Sequence, residues 1–267
     1  MAGAGSCCPP GSLPYLVAGE QGKGAEVSAG TVHFYATGDA GATVAVVIAS
    51  DVWGWSSGRV RAIADYVASS LGAYVLVPKL LDQPALEGGC NGDGLPPDFS
   101  IETRQTDFMK WIKKHSWSSL QARVEAVFAH LEGKKVGMVG FCWGGWLLCH
   151  ASALSKSVLC GVIAHPSVGL EQLFGGSPAT LASTVQCPIL FMPAGNDPPI
   201  YAPGGDVFDA VKAKHAATAT IAFPEMQHGW VARGDSNDDK VKRDIEEAVS
   251  TMTEYLATNL GVVRSRL

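Results

Sequence analysis

From residue 31 to the end of the chain, short β-branched runs alternate with stretches of helical periodicity, and this alternation narrows the possible folds more than any other feature. Residues 43–50 form an apolar β-branched run, the pattern of a strand covered on both faces. Residues 31–37, 73–77, 135–141, 158–164, 188–192 and 218–223 also read as strands. Helical spacing runs through residues 57–70, 101–115, 118–131, 143–153, 207–215 and 239–259, the last with Val241, Ile245, Val249 and Met252 on one face. Strands linked through helices demand right-handed crossovers. The expected fold class is therefore α/β, with a mainly parallel central sheet and helices on both faces.

With 267 residues, 47% hydrophobic and 17% charged, the chain can bury one large core. The expected organisation is a single domain over residues 31–267, after an irregular lead-in over residues 1–30 rich in Gly, Ala, Ser and Pro. Residues 80–99, crowded with Gly, Pro and Asp, read as a long loop placed where a lid over a site would lie. The net charge is −5 and no basic run exceeds a pair such as Lys113-Lys114, so no footprint for nucleic acid or an anionic membrane surface is present. The first residues lack a basic stretch followed by an apolar one, and no apolar run approaches the roughly 20 residues of a membrane span. Seven cysteines, an odd number with no C-x-x-C spacing, suggest neither a disulfide framework nor a zinc site. A reduced cytoplasmic protein without a metal is expected.

The chemistry concentrates at Gly140-Phe141-Cys142-Trp143-Gly144, which follows one expected strand and opens the next helix. A nucleophile on so sharp a turn needs small neighbours, so that strand and helix can pass closely. The helix N-terminus also brings unpaired N–H groups toward the sulfur. A cysteine nucleophile needs a base, and the base needs an orienting acid. His228, in the loop Met226-Gln227-His228-Gly229-Trp230 after residues 218–223, is placed to be the base. His33, His115, His130, His150 and His215 lie on strands or helices away from such a loop, while His165 follows residues 158–164 and is placed to line the site. Asp197, directly after residues 188–192, is the expected acid, with Asp206 and Glu225 as less well-placed rivals. The turn Ser50-Asp51-Val52-Trp53-Gly54 ends the strand at 43–50, where the backbone N–H of Val52 joins that of Trp143 as the candidate oxyanion hole and Asp51 falls near Cys142.

Together, Gly-Phe-Cys-Trp-Gly-Gly at 140–145, Ala-Gly-Asn-Asp at 194–197 and His-Gly-Trp-Val-Ala-Arg at 228–233 resemble the dienelactone hydrolase (carboxymethylenebutenolidase) family over most of the chain from about residue 30. The resemblance implies an α/β-hydrolase fold, usually monomeric, without a metal or organic cofactor. It implies a hydrolase that opens a small-molecule carboxylic ester or lactone through a Cys142–His228–Asp197 triad and a thioester acyl-enzyme. It also implies that Asp51, where bacterial members carry Glu, takes the thiol proton, and that Arg233 binds a substrate carboxylate.

Two other classes compete. A glutamine amidotransferase shares the cysteine turn but has an acid two residues after its histidine, where this chain has Trp230. A catalytically silent binding protein has no need to hold Cys142, Asp197 and His228 in this order. Some relatives of the resembled family are named as plant glucanases, yet glycoside hydrolysis requires two facing carboxylates, which a cysteine turn does not supply.

Overall fold

The structure, a computed structural model, describes residues 8–17, 22–81 and 94–263. Eight strands form one sheet in the order β1-β2-β4-β3-β5-β6-β7-β8. They are β1 (Ala25–Ala29), β2 (Val32–Thr37), β3 (Val44–Ala49), β4 (Tyr74–Pro78), β5 (Lys135–Phe141), β6 (Val158–Ala164), β7 (Ile189–Met192) and β8 (Ala219–Thr220). β1–β2 and β2–β4 pair antiparallel, and every other pairing is parallel. β3 and β4 are buried along their whole length and β5 along all but its first residue, as continuous apolar runs between two helical layers require.

One face carries α1 (Val60–Leu71) and α8 (Asp239–Leu260), whose apolar sides pack on Val46, Ile48, Val75 and Val162. The other carries α3 (Trp117–His130), α4 (Trp143–Leu154), α5 (Pro178–Thr184) and α6 (Asp206–Lys212) over Val47, Leu76, Met138 and Ile163. Two short helices, α2 (Gln105–Ile112) and α7 (Trp230–Arg233), complete the set among the described residues. α8 begins where the Asp238 carboxylate accepts the N–H groups of Lys240 and Val241, and ends at Gly261 in the left-handed conformation. None of the described helices is long and apolar enough to cross a membrane.

The α/β architecture expected from the alternation is the one observed. At the far edge of the sheet, the strand expected over residues 218–223 shrinks to β8, followed by a single bridge from Phe223 to Ala194. This edge segment has a neighbour on one side only, so little pairing extends it. β1 falls inside the stretch read as lead-in, because its antiparallel partner β2 supplies the ladder that its own sequence does not announce. Of the long loop at 80–99, residues 82–93 lie outside the described residues, and Leu95 is tied to the turn after β3 by its N–H on the Val52 carbonyl (2.9 Å).

Candidate active site

Cys142 stands between the end of β5 and the first turn of α4 with φ 54° and ψ −112°, a backbone position that costs a non-glycine residue about 1–3 kcal/mol. Its surroundings hold it there. The Cys142 N–H donates to the Ala164 carbonyl of β6 (3.2 Å), and the Cys142 carbonyl accepts from Gly145 N–H (2.9 Å). Gly144 is dictated by the same turn, since a Cβ there would strike the Ala49 carbonyl oxygen. The sulfur is fully covered. Trp143 is the first residue of α4, so its N–H is among those with no partner inside the helix, and the helix dipole favours negative charge beside it.

Asp197 lies in the turn after β7, where one carboxylate oxygen accepts the Ala194 N–H (2.7 Å). The other accepts from His228 Nδ1 at 2.6 Å, and both side chains have zero exposure. The loop carrying His228 is fixed by its backbone N–H donating to Asn196 Oδ1 (2.7 Å) and by Gly229 at φ 99°. With Nδ1 on Asp197, the ring's other side faces the nucleophile: a ring nitrogen of His228 lies within 4.8 Å of the Cys142 sulfur. Burial pulls the His228 pKa down, but the charges of a Cys142 thiolate and of Asp197 outweigh it and hold the imidazolium well above the ordinary histidine range. The two rival acids are elsewhere: Glu225 is paired with Lys240 on the surface, and Asp206 is exposed at the start of α6.

Asp51 is fully buried in the turn after β3. Its Oδ1 accepts the Trp53 N–H (2.9 Å), and its Oδ2 accepts from Arg233 Nε at 2.7 Å. Burial pushes its carboxyl pKa up; Arg233 opposes the rise and the nearby Cys142 thiolate adds to it. Arg233, also without side-chain exposure, gives a second N–H to the Pro14 carbonyl (2.8 Å), which leaves Nη2 with no hydrogen-bond partner among the described residues. Val52 is buried in the same turn.

Two residues after β6 complete the surroundings. His165, at φ 40°, sits edge-on to His228 with ring centroids 5.1 Å apart, and burial holds its pKa well below the usual value, so it stays neutral. Ser167 donates its hydroxyl to the Cys142 sulfur at 3.3 Å. The remaining histidines have local partners instead, such as Glu171 for His150 and the Val185 carbonyl for His215. A third group at the sulfur is Cys8, from the N-terminal segment; Cys8, Cys142 and His228 have donor atoms within 4.8 Å of one another and are the group among the described residues able to hold a metal ion. The sequence pointed to Cys142, Asp197, His228, Asp51, Val52, Trp143 and Arg233, and the fold gathers them at one end of the sheet. Sequence reasoning missed the Asp51–Arg233 pairing, Ser167 and Cys8, which no spacing rule connects to residue 142.

A sequence model of the dienelactone hydrolase family matches residues 32–260. The chain belongs to that family. As a dienelactone hydrolase family member it is a hydrolase of the ester- and lactone-cleaving type. It is 26% identical over 248 residues, 88% of this chain and 91% of the relative, to a carboxymethylenebutenolidase homolog of Rattus norvegicus. A protein of Zea mays named endo-1,3;1,4-beta-D-glucanase is 33% identical over 139 residues, 51% of this chain and 40% of that protein. Among solved structures, a dienelactone hydrolase described as putative from Klebsiella pneumoniae aligns with TM-score 0.63 and 18% identity over 86% of this chain and 97% of that one. The Pf2001 esterase of Pyrococcus furiosus aligns with TM-score 0.54 and 15% identity over 93% and 99%, which speaks for the shared α/β-hydrolase fold.

Proposed function

We propose that this family member cleaves a carboxylic ester or lactone through Cys142 as nucleophile, His228 as acid and base, and Asp197 as the group that orients His228. The observation that carries the reading is the buried chain of contacts from Asp197 to His228 Nδ1 and from the imidazole toward a sulfur held at positive φ on a helix N-terminus.

In this reading the resting pair is a thiolate beside an imidazolium, each charge favouring the other at the helix N-terminus, in line with the upward direction of the His228 pKa. The thiolate attacks the carbonyl carbon, and the carbonyl oxygen takes the negative charge against the N–H groups of Val52 and Trp143. Collapse breaks the ester bond, and the departing alkoxide takes the proton from His228. Acylation removes the negative sulfur, which is the main opponent of the burial that lowers the His228 pKa. The imidazole in the thioester is therefore a competent base, and it draws a proton from the water that hydrolyses the acyl group. Asp51 is placed to take a thiol proton only through lone pairs left after its bonds to Trp53 and Arg233. Arg233 has one nitrogen, Nη2, without a partner among the described residues, and its N–H groups are left for a substrate carboxylate.

Glycoside hydrolysis does not suit these groups. Among the described residues, the site's two buried carboxylates are committed, Asp197 to His228 and Asp51 to Arg233. Turnover of p-nitrophenyl acetate by wild type and Cys142→Ala tests the proposal. The variant should lose nearly all activity, and trapped wild type should carry the acyl group on Cys142. Equal rates in the two proteins would remove Cys142 from the mechanism.

A further inference from the structure

Residues 8–17 cross the site as a strap. The Pro10 carbonyl accepts from Asn196 Nδ2 (3.0 Å), Leu13 N–H donates to the His228 carbonyl (2.9 Å), the Pro14 carbonyl accepts from Arg233, and the Leu16 carbonyl accepts from Gly58 N–H (2.8 Å). Cys8 precedes the first of these anchors. It is 7% exposed, and its sulfur lies 3.8 Å from that of Cys142 across 134 residues of sequence. None of the hydrolytic steps above transfers a proton or an acyl group through this second thiol. The other described cysteines, Cys149, Cys160 and Cys187, are buried thiols whose pKa is pushed up by burial.

We propose that Cys8 is a resolving cysteine: a hydroperoxide oxidises Cys142, and Cys8 captures the product as a disulfide that switches the hydrolase off reversibly. The proposal rests on Cys142 being the reactive thiolate described above. In the first step the Cys142 thiolate attacks the terminal oxygen of the hydroperoxide and the O–O bond breaks. Sulfur loses two electrons and becomes a sulfenic acid, and the peroxide is reduced to an alcohol (water, from hydrogen peroxide) that takes its proton from the His228 imidazolium. In the second step His228, now neutral, draws the proton from the Cys8 thiol. The Cys8 sulfur attacks the sulfenic sulfur, the S–O bond breaks, and hydroxide leaves as water with that proton.

The geometry favours capture over further oxidation. A disulfide bond is about 2.05 Å long, so the sulfurs must approach by roughly 1.8 Å. Because Cys8 lies ahead of the strap's anchors, this movement breaks none of them. Without a neighbouring thiol, a sulfenic acid goes on to sulfinic acid, which thiol reductants do not reverse.

The test uses the full chain treated with hydrogen peroxide, with thiols then blocked by iodoacetamide. Before blocking, wild type should be lighter by two hydrogens; it should yield a peptide joining residues 8 and 142, lose esterase activity, and, when unblocked, regain nearly all of it with a phosphine reductant. Cys8→Ser, compared with its own untreated rate, should accumulate sulfinic acid on Cys142 and stay at least about tenfold below that rate after reduction. Cys7→Ser should behave as wild type. The proposal is overturned if Cys8→Ser recovers as fully as wild type, if Cys7→Ser loses the recovery instead, or if a chelator alone restores activity, which would mean a bound metal. Irreversible loss in wild type with no joined peptide would sink the resolving role while leaving Cys142 as nucleophile. Formation of the joined peptide with no loss of activity would instead sink the nucleophile reading.

Discussion

Replacing Arg233 by Met removes one half of an ion pair in which neither side chain touches solvent. Asp51 keeps its Trp53 N–H bond but loses the guanidinium that opposes its burial. Breaking one partner of such a pair costs on the order of 3–5 kcal/mol. At about 2–4 °C per kcal/mol for a chain approaching this size, the melting temperature at pH 8 should fall by roughly 10 °C. The pH dependence follows from the direction in which burial moves Asp51. Its folded pKa is already above the ordinary carboxylate value, so an ionised Asp51 costs stability above its unfolded pKa of about 3.9. Without Arg233 the folded pKa rises further, and protonation on acidification relieves the added cost. Each tenfold weakening of the acid in the folded state is worth up to about 1.4 kcal/mol of that relief. The gap between wild type and Arg233→Met should therefore narrow from pH 8 to pH 5. Melting followed by circular dichroism at both pH values measures it. A gap that stays constant across that range, or a variant more stable than wild type at pH 8, would refute the reasoning.

Three further outcomes follow from the site. Asp197→Asn leaves His228 without its carboxylate partner, and kcat on an aryl ester should fall on the order of a thousandfold; a loss under tenfold would show that Asp197 does not orient the base. Ser167→Ala removes the hydroxyl that donates to the sulfur and should lower kcat/KM about tenfold, the low end for a hydrogen bond to a charged atom, so an unchanged value would assign Ser167 a packing role. Iodoacetamide should alkylate Cys142 ahead of Cys149, Cys160 and Cys187, whose thiols burial keeps protonated, and its rate should fall less from pH 8 to pH 6 than that of a free thiol, because pairing with His228, whose pKa is shifted upward, favours the thiolate. Even labelling of all four would show that no special thiol exists.

Much was legible from local pattern. The apolar run of β3 announced a strand covered on both faces, because such a strand has no polar side to show, and the alternation of strands with helices announced the parallel sheet around it. Gly140 and Gly144 around Cys142 announced a strained strand-to-helix turn, because only glycine lets the two segments pass so closely. The chain order of Cys142, Asp197 and His228, each after a strand, pointed to residues that the sheet brings together, since parallel strands end on the same side. What depended on contact between distant segments was decided by the tertiary structure alone. Arg233 meets Asp51 across 182 residues, Ser167 reaches the sulfur from the end of β6, and Cys8 touches Cys142 only because the strap bonds to the His228 loop. Periodicity and turn chemistry carry information over a few residues, whereas these partners are chosen by where the folded sheet and its loops put them, and no local rule encodes that distance.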